Sequence, residues 1–90
     1  MPSRYSYPSL RLTLELLSLL EGAGGYETIA SIRRSWAANI DDDPPKSLRI
    51  YDHLETATEI GLVERRKQRR RRNACEIEYR FVSWPIPYYS

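Results

Sequence analysis

Residues 61–81, GLVERRKQRRRRNACEIEYRF, decide the fold because they combine two strand patterns with a run of arginines. In residues 74–82 apolar and polar side chains alternate, which is the two-residue period of a β-strand with one buried face. The apolar positions are Cys75, Ile77, Tyr79 and Phe81. Residues 62–67 form a shorter candidate strand. The polar connection over residues 68–73 therefore predicts a β-hairpin.

Three helices are predicted upstream of this hairpin. The first covers residues 8–21 and ends at a glycine cluster, with Ser9 as a candidate N-cap or, alternatively, Pro8 in the first turn. The second covers residues 27–38 with Thr28 as a candidate N-cap, and a very short strand fits directly before it at Tyr26. Two consecutive prolines break the chain, after which a third helix is expected over about residues 45–60 with Asp43 as its cap.

The third helix is predicted to be amphipathic, with side chains recurring at three- and four-residue spacings. Its expected apolar set is Leu48, Tyr51, Leu54, Ala57 and, at its edges, Ile50 and Ile60. The expected solvent stripe is Lys46, Arg49, His53 and Thr56.

The segment from Ser47 to Arg66, SLRIYDHLETATEIGLVERR, resembles the recognition helix and first wing strand of winged helix-turn-helix proteins. The resemblance lies in an amphipathic helix that runs into a Gly-Leu-Val-Glu-Arg segment, and it extends over about residues 9–82. It implies an α+β, mainly α fold in which three helices precede a C-terminal β-hairpin wing. One domain is expected over residues 1–90, with aromatic tails at 1–8 and 83–90. Many similar proteins are small archaeal or bacterial transcription regulators, and others bind protein or RNA.

The formal net charge of +2 averages two unlike parts of the chain. Residues 1–60 carry six basic and nine acidic residues, which gives −3, and residues 61–90 carry eight and three, which gives +5. Crowding like charges on a hairpin does not favour folding, so an anionic partner is expected to offset them. The candidate contacts are Arg65, Arg66, Lys67, Arg69, Arg70, Arg71 and Arg72. Double-stranded DNA is the predicted partner; RNA, an acidic protein, an anionic membrane surface and a simple solvated charge run are alternatives.

The N-terminal half of the third helix is the predicted base-reading element, because the major groove admits one helix and arginine can bind guanine bidentately. Its candidate contacts are Lys46, Ser47, Arg49 and His53. The acidic run Asp41–Asp43 precedes this helix and would repel phosphate. It is expected to point away, to cap the helix or to pair with Arg33 and Arg34. If it faces the nucleic acid, the hairpin must dominate binding.

A homodimer is predicted from the first helix, whose leucines spread over a wider arc than one core-facing stripe requires. Aromatic residues in the tails add surface typical of interface cores. The candidate interface residues are Leu12, Leu16, Leu19, Trp84, Tyr88 and Tyr89. Packing within the chain's own core, or base stacking by the aromatic residues, are the alternatives.

No enzymatic function is predicted, because the sequence contains neither a phosphate-binding glycine loop nor a set of residues for a catalytic triad or zinc site. We expect no cofactor, no metal and no small-molecule effector.

A single cysteine and the absence of a long apolar stretch favour a cytoplasmic protein, nucleoid-associated in a prokaryote. Twelve arginines against two lysines also fit a GC-rich or thermophilic, possibly archaeal genome. The predicted function is transcription regulation, and the alternative is an interaction module that binds protein or structured RNA in a larger assembly.

Overall fold

The computed structural model describes residues 7–71 and 74–85, with side chains over residues 10–68 and 76–85. The fold is α+β and mainly helical, with an antiparallel sheet of strand order β1-β3-β2. Its elements are α1 (Tyr7–Ala23), β1 (Glu27–Thr28), α2 (Ile29–Asn39), α3 (Ser47–Glu59), β2 (Val63–Arg71) and β3 (Ala74–Phe81). No helix in these ranges is long and apolar enough to cross a membrane.

Helix α1 is longer than predicted at both ends, so Ser9 lies within the helix and is not its N-cap. The helix ends at the glycine cluster, as expected. Gly24 adopts a left-handed conformation with φ 75°, and its N–H donates to the Leu20 carbonyl at 3.3 Å. This conformation suits glycine because the residue has no Cβ.

The predicted N-cap of helix α2 is confirmed, although the helix begins at Ile29 and residues 27 and 28 form the short strand. The Thr28 side chain caps the helix by accepting a hydrogen bond from the Ser31 N–H at 3.1 Å. Thr28 also ends the short strand β1, which pairs antiparallel with β3 through Glu27↔Tyr79 and Thr28↔Glu78. One residue therefore closes the strand and begins the helix, which fixes α2 against the middle strand of the sheet.

Helix α3 begins later than predicted, and Asp43 is not its cap. The N-cap residue is Lys46, which makes no side-chain capping bond, and the Lys46 carbonyl accepts from the Ile50 N–H at 3.1 Å. The two prolines lie in the extended connection before the helix, because a residue preceding proline is disfavoured in the helical conformation.

The predicted apolar set of α3 is corrected in part. Ile50, Leu54 and Ala57 are buried, whereas Leu48 is 71% exposed and Ile60 is 63% exposed. Ile50, Leu54 and Ala57 follow the i, i+4, i+7 spacing that holds one helix face against the core, and Leu48 falls on the other side.

The hairpin is longer than predicted, because the arginine run continues strand β2 instead of forming the turn. The register runs from Val63↔Phe81 to Arg71↔Ala74, with a shift between Arg69 and Arg71. Only residues 72 and 73, which lie outside the described chain, separate the two strands.

The core lies between the three helices and one face of the sheet. Leucines of α1 meet Ile32 of α2, the buried face of α3 and Tyr79 of β3. The largest fully buried side chains are Leu16, Leu17, Leu20, Ile32, Ile50, Leu54 and Tyr79. Burying each leucine or isoleucine stabilises the fold by about 1.5–3 kcal/mol before conformational entropy is subtracted.

Candidate nucleic-acid interface

The hairpin extends past the rest of the sheet. Strand β1 pairs only with Glu78 and Tyr79 of β3, so the hairpin beyond these positions is a two-stranded ribbon. We call residues 67–76 the distal hairpin. At about 3.3 Å per residue, β2 advances roughly 13 Å from Lys67 to Arg71.

The positive charge is concentrated in the distal hairpin. Its sequence holds five basic residues and one acidic residue, which gives +4. At the base of the hairpin, by contrast, each arginine has a carboxylate partner. Arg65 binds Glu55 at 2.7 Å, Arg66 binds Glu78 at 2.8 Å, and Arg80 binds Glu64. The excess of positive charge in the hairpin sequence therefore lies in the distal hairpin.

Two arginines at the base pack against one tyrosine. The Arg66 guanidinium carbon lies 3.9 Å from the centre of the Tyr26 ring, and that of Arg80 lies 5.3 Å away. Arg66 also donates from Nε to Glu78, whose side chain is buried. The cation–π contact and the ion pair give Arg66 a structural role, although the sequence predicted it as a contact to nucleic acid.

A hydrogen-bonded cluster connects α3 to the sheet. The Tyr79 hydroxyl donates to Glu55 Oε2 at 2.7 Å, and Arg65 NH1 donates to Glu55 Oε1 at 2.7 Å. Partial burial opposes ionisation of Glu55, but the bonds from Tyr79 and Arg65 outweigh it and lower the Glu55 pKa. Burial, followed by the bond to Glu55, raises the pKa of Tyr79. The cluster thus holds the hairpin base against the middle of α3.

Replacing Tyr79 with phenylalanine should destabilise the fold by about 1–2 kcal/mol, because a hydrogen bond to a charged acceptor is lost while the ring remains. Urea unfolding at neutral pH measures this loss as a lower midpoint with an unchanged m value. Tyr26→Phe is the matched control because it keeps the ring over Arg66. Equal destabilisation by both variants would contradict the assigned role of the Tyr79–Glu55 bond.

The predicted contacts on α3 divide between two environments. Lys46, Ser47 and Arg49 are exposed at the N-terminal end of the helix. His53 is half-buried, and its Nδ1 lies 3.1 Å from the Thr13 hydroxyl of α1. The expected solvent stripe is therefore corrected at His53, because that side chain packs against α1.

His53 should make stability depend on pH. Burial, with a further contribution from Arg49, lowers the His53 pKa, while Asp52 opposes the shift. The unfolded chain then binds a proton more readily than the folded chain, so stability is full above pH 6.5 and falls as pH decreases below it. Urea midpoints measured from pH 7.5 to 5 should show this fall, and His53→Gln should flatten it. An equally steep fall in the variant would assign it to other groups.

Of the three alternatives expected for the acidic run before α3, two are not observed in the described chain: Asp43 does not cap the helix, and the run does not pair with Arg33 or Arg34. Arg33 donates from Nε to the Pro45 carbonyl at 3.0 Å, and the Asp43 N–H donates to Asp42 Oδ1 at 2.8 Å. Asp42 and Asp43 border an open groove with Arg49, so they lie near the arginine that was predicted to read bases.

The predicted dimer residues that the structure describes do not form one exposed surface. Leu12 and Leu16 are buried in the chain's own core, so they are not available to a second copy, and Leu19 is half-buried. Trp84 is partly exposed, packs edge-on to Phe81 at 5.2 Å and donates from Nε1 to Glu21 at 3.2 Å. Tyr88 and Tyr89 lie outside the described residues.

Sequence reasoning missed the structural roles of Glu55 and Tyr26. The Arg66–Glu78 ion pair could have been found from the sequence. Once the hairpin register is known, the two oppositely charged residues face each other across the strands. No local pattern identifies Glu55, whose partners lie 10 and 24 residues away. The backbone places Arg69, Arg70 and Arg71 in β2, but their side chains, and all of Arg72, lie outside the described structure.

Comparison with known proteins adds no family assignment. The sequence matches no protein-family profile, and no curated protein is significantly similar to it.

Proposed function

We propose that the protein is a winged helix-turn-helix protein that binds double-stranded DNA and regulates transcription. The order of its elements supports this proposal: α2, a turn and α3 are followed by an antiparallel hairpin. The short strand β1 beside β3 adds the third strand. In this arrangement α3 is the recognition helix and the β2–β3 hairpin is the wing.

The observation that carries the proposal is the uneven distribution of charge along the hairpin. The arginines at its base have carboxylate partners, while the distal hairpin keeps an excess of four positive charges. Phosphates on the DNA backbone, or at the edges of the minor groove, would offset this excess by displacing condensed counterions. Such contacts provide affinity and orientation but little sequence information.

Contact through α3 is proposed for its N-terminal end. Lys46, Ser47 and Arg49 are exposed there, whereas the helix carries Asp52, Glu55 and Glu59 further along. These carboxylates would be repelled by phosphates if the helix lay along the groove. End-on insertion keeps these three carboxylates away from the backbone and leaves Arg49 as the base-reading residue. It also brings Asp42 and Asp43, which border Arg49, toward the phosphates, so the hairpin must supply most of the affinity.

A second candidate function is favoured by the same carboxylates. An acidic helix face is poorly suited to binding nucleic acid. It fits an interaction module in which α3 binds a basic protein partner and the hairpin binds structured RNA. The two candidates differ in whether duplex DNA is preferred over RNA.

Fluorescence anisotropy distinguishes them when the protein is titrated against duplex DNA, single-stranded DNA and a structured RNA at low and moderate salt. Duplex preference with a steep salt dependence supports the proposed regulator. Preference for RNA supports the interaction module. If none of the three binds at low salt, both nucleic-acid functions are rejected.

Replacing Arg49 with alanine should reduce sequence discrimination. A good bidentate contact to guanine contributes about 1–3 kcal/mol, so affinity for a preferred site should fall by about tenfold or more. Affinity for unrelated duplexes should change little. The preferred site is obtained by selection from a random duplex pool. An equal loss of affinity on all sequences would restrict Arg49 to phosphate contact.

A further inference from the structure

One side of α3 is acidic, and among the described residues its Glu55 alone is bonded to the rest of the fold. Leu48, Asp52, Glu55 and Glu59 follow the i, i+4, i+7, i+11 spacing that places side chains on one side of a helix. We call this set the α3 outer face, because it lies opposite the buried residues Ile50, Leu54 and Ala57. It holds three carboxylates and an exposed leucine.

The carboxylates of the α3 outer face differ in how they are compensated. Glu55 binds Arg65 and Tyr79 at the base of the hairpin. Asp52 and Glu59 are exposed and form no ion pair with any residue that the structure describes. The face therefore presents two uncompensated negative charges beside Leu48, whose exposed side chain would gain from burial.

The complementary charge is carried by the distal hairpin, and the part of it around Arg71 lies too far along the strand to compensate this face within one chain. Arg65, at the hairpin base, is the residue that contacts Glu55. At about 3.3 Å per residue, Arg71 lies roughly 20 Å further along β2. An arginine side chain does not span that distance.

We propose that the α3 outer face binds the distal hairpin of a second copy of this chain. A two-fold axis makes the contact reciprocal: each hairpin lies on the partner's α3, and the two uncompensated carboxylates of each face are offset by part of the partner's positive excess. Arginine–carboxylate pairs supply the polar contacts, and Leu48 is covered at the edge. This interface differs from the leucine surface predicted from the sequence.

The proposed interface does not depend on DNA binding, but it uses the same hairpin. A hairpin seated on a partner cannot also lie on a phosphate backbone, so duplex DNA and the second copy compete for it. Self-association would therefore hold the protein in a form with masked hairpins until DNA displaces the partner.

Sedimentation velocity of the full chain without DNA tests this proposal. At about 50 mM salt, where charges are weakly screened, the mass should approach twice the 10.6 kDa of one chain. At about 500 mM salt it should fall toward 10.6 kDa. A monomer at low salt and high protein concentration would overturn the proposal.

Charge reversal identifies the surfaces. Asp52→Lys with Glu59→Lys should give a monomer at low salt, and so should replacement of Arg69–Arg72 by glutamate. Mixing these two variants should restore the dimer, because each then carries the charge that complements the other. The matched control, Glu15→Lys with Asp41→Lys outside the α3 outer face, changes the net charge equally and should still dimerise.

The outcomes separate this proposal from the proposed function. If the α3 reversal leaves the dimer intact, or if mixing does not restore it, the interface is wrong whatever the protein binds. If the protein dimerises as described but binds no duplex DNA, the DNA-binding proposal alone fails. Circular dichroism of each variant confirms that loss of the dimer is not loss of fold.

Discussion

Replacing Arg69, Arg70, Arg71 and Arg72 together with alanine should lower affinity for duplex DNA by about 10²–10³-fold at low salt. Each neutralised phosphate contributes about 0.9 to the slope of log affinity against log salt concentration, so four contacts contribute about −3.6. When the salt concentration rises fourfold, the weakening of these four contacts lowers the affinity of the unsubstituted protein for DNA by roughly 150-fold. The variant should lose most of this dependence, and the loss should be similar on every duplex. Anisotropy at several salt concentrations measures both quantities.

Replacement of the same four arginines with lysine is the matched control. It keeps the charge and removes only the bidentate geometry, so the salt slope should remain while affinity falls modestly. Protein concentrations below those at which the chain self-associates keep the hairpin available to DNA. Unchanged affinity in the alanine variant would reject the hairpin as the binding element.

The element types were predictable from the sequence because each is encoded locally. Thr28 carries the capping signal of α2, the glycine cluster ends α1, and the alternation around Tyr79 identifies β3. The length of β2 was not predictable in this way. Arginines have no strong local preference for turn or strand, and pairing with β3 decides that residues 68–71 are strand.

The site was predictable to a lesser extent because charge compensation depends on tertiary contacts. The sequence identified the basic run as a whole, but Arg65 and Arg66 are occupied by Glu55 and Glu78. Likewise the apolar periodicity of α3 was compatible with two buried faces, one that includes Leu48 and one that includes Ile50. Packing against α1 and the sheet buries Ile50 rather than Leu48, and that rotation exposes the acidic side of the helix.

The second large effect is expected in the core, where Leu16→Ala should destabilise the fold by about 3 kcal/mol. Leu16 is 1% exposed and lies among leucines and isoleucines of all three helices, so the substitution removes buried surface and leaves a cavity. For a domain of this size, the melting temperature should fall by roughly 12–24 °C. Urea and thermal unfolding, followed by circular dichroism, measure the loss.

Leu14→Ala is the matched control, since Leu14 lies on the same helix and is 39% exposed. It should cost less than about 1 kcal/mol, because little buried contact is removed. Protein concentration separates a core role of Leu16 from the interface role predicted from the sequence. If Leu16 is a core residue, Leu16→Ala lowers the free energy of unfolding by the same amount at every protein concentration. If Leu16 lies in a subunit interface, the loss depends on how much dimer is present. A loss of stability in Leu16→Ala that depends on protein concentration would show that Leu16 lies in a subunit interface and not in the core.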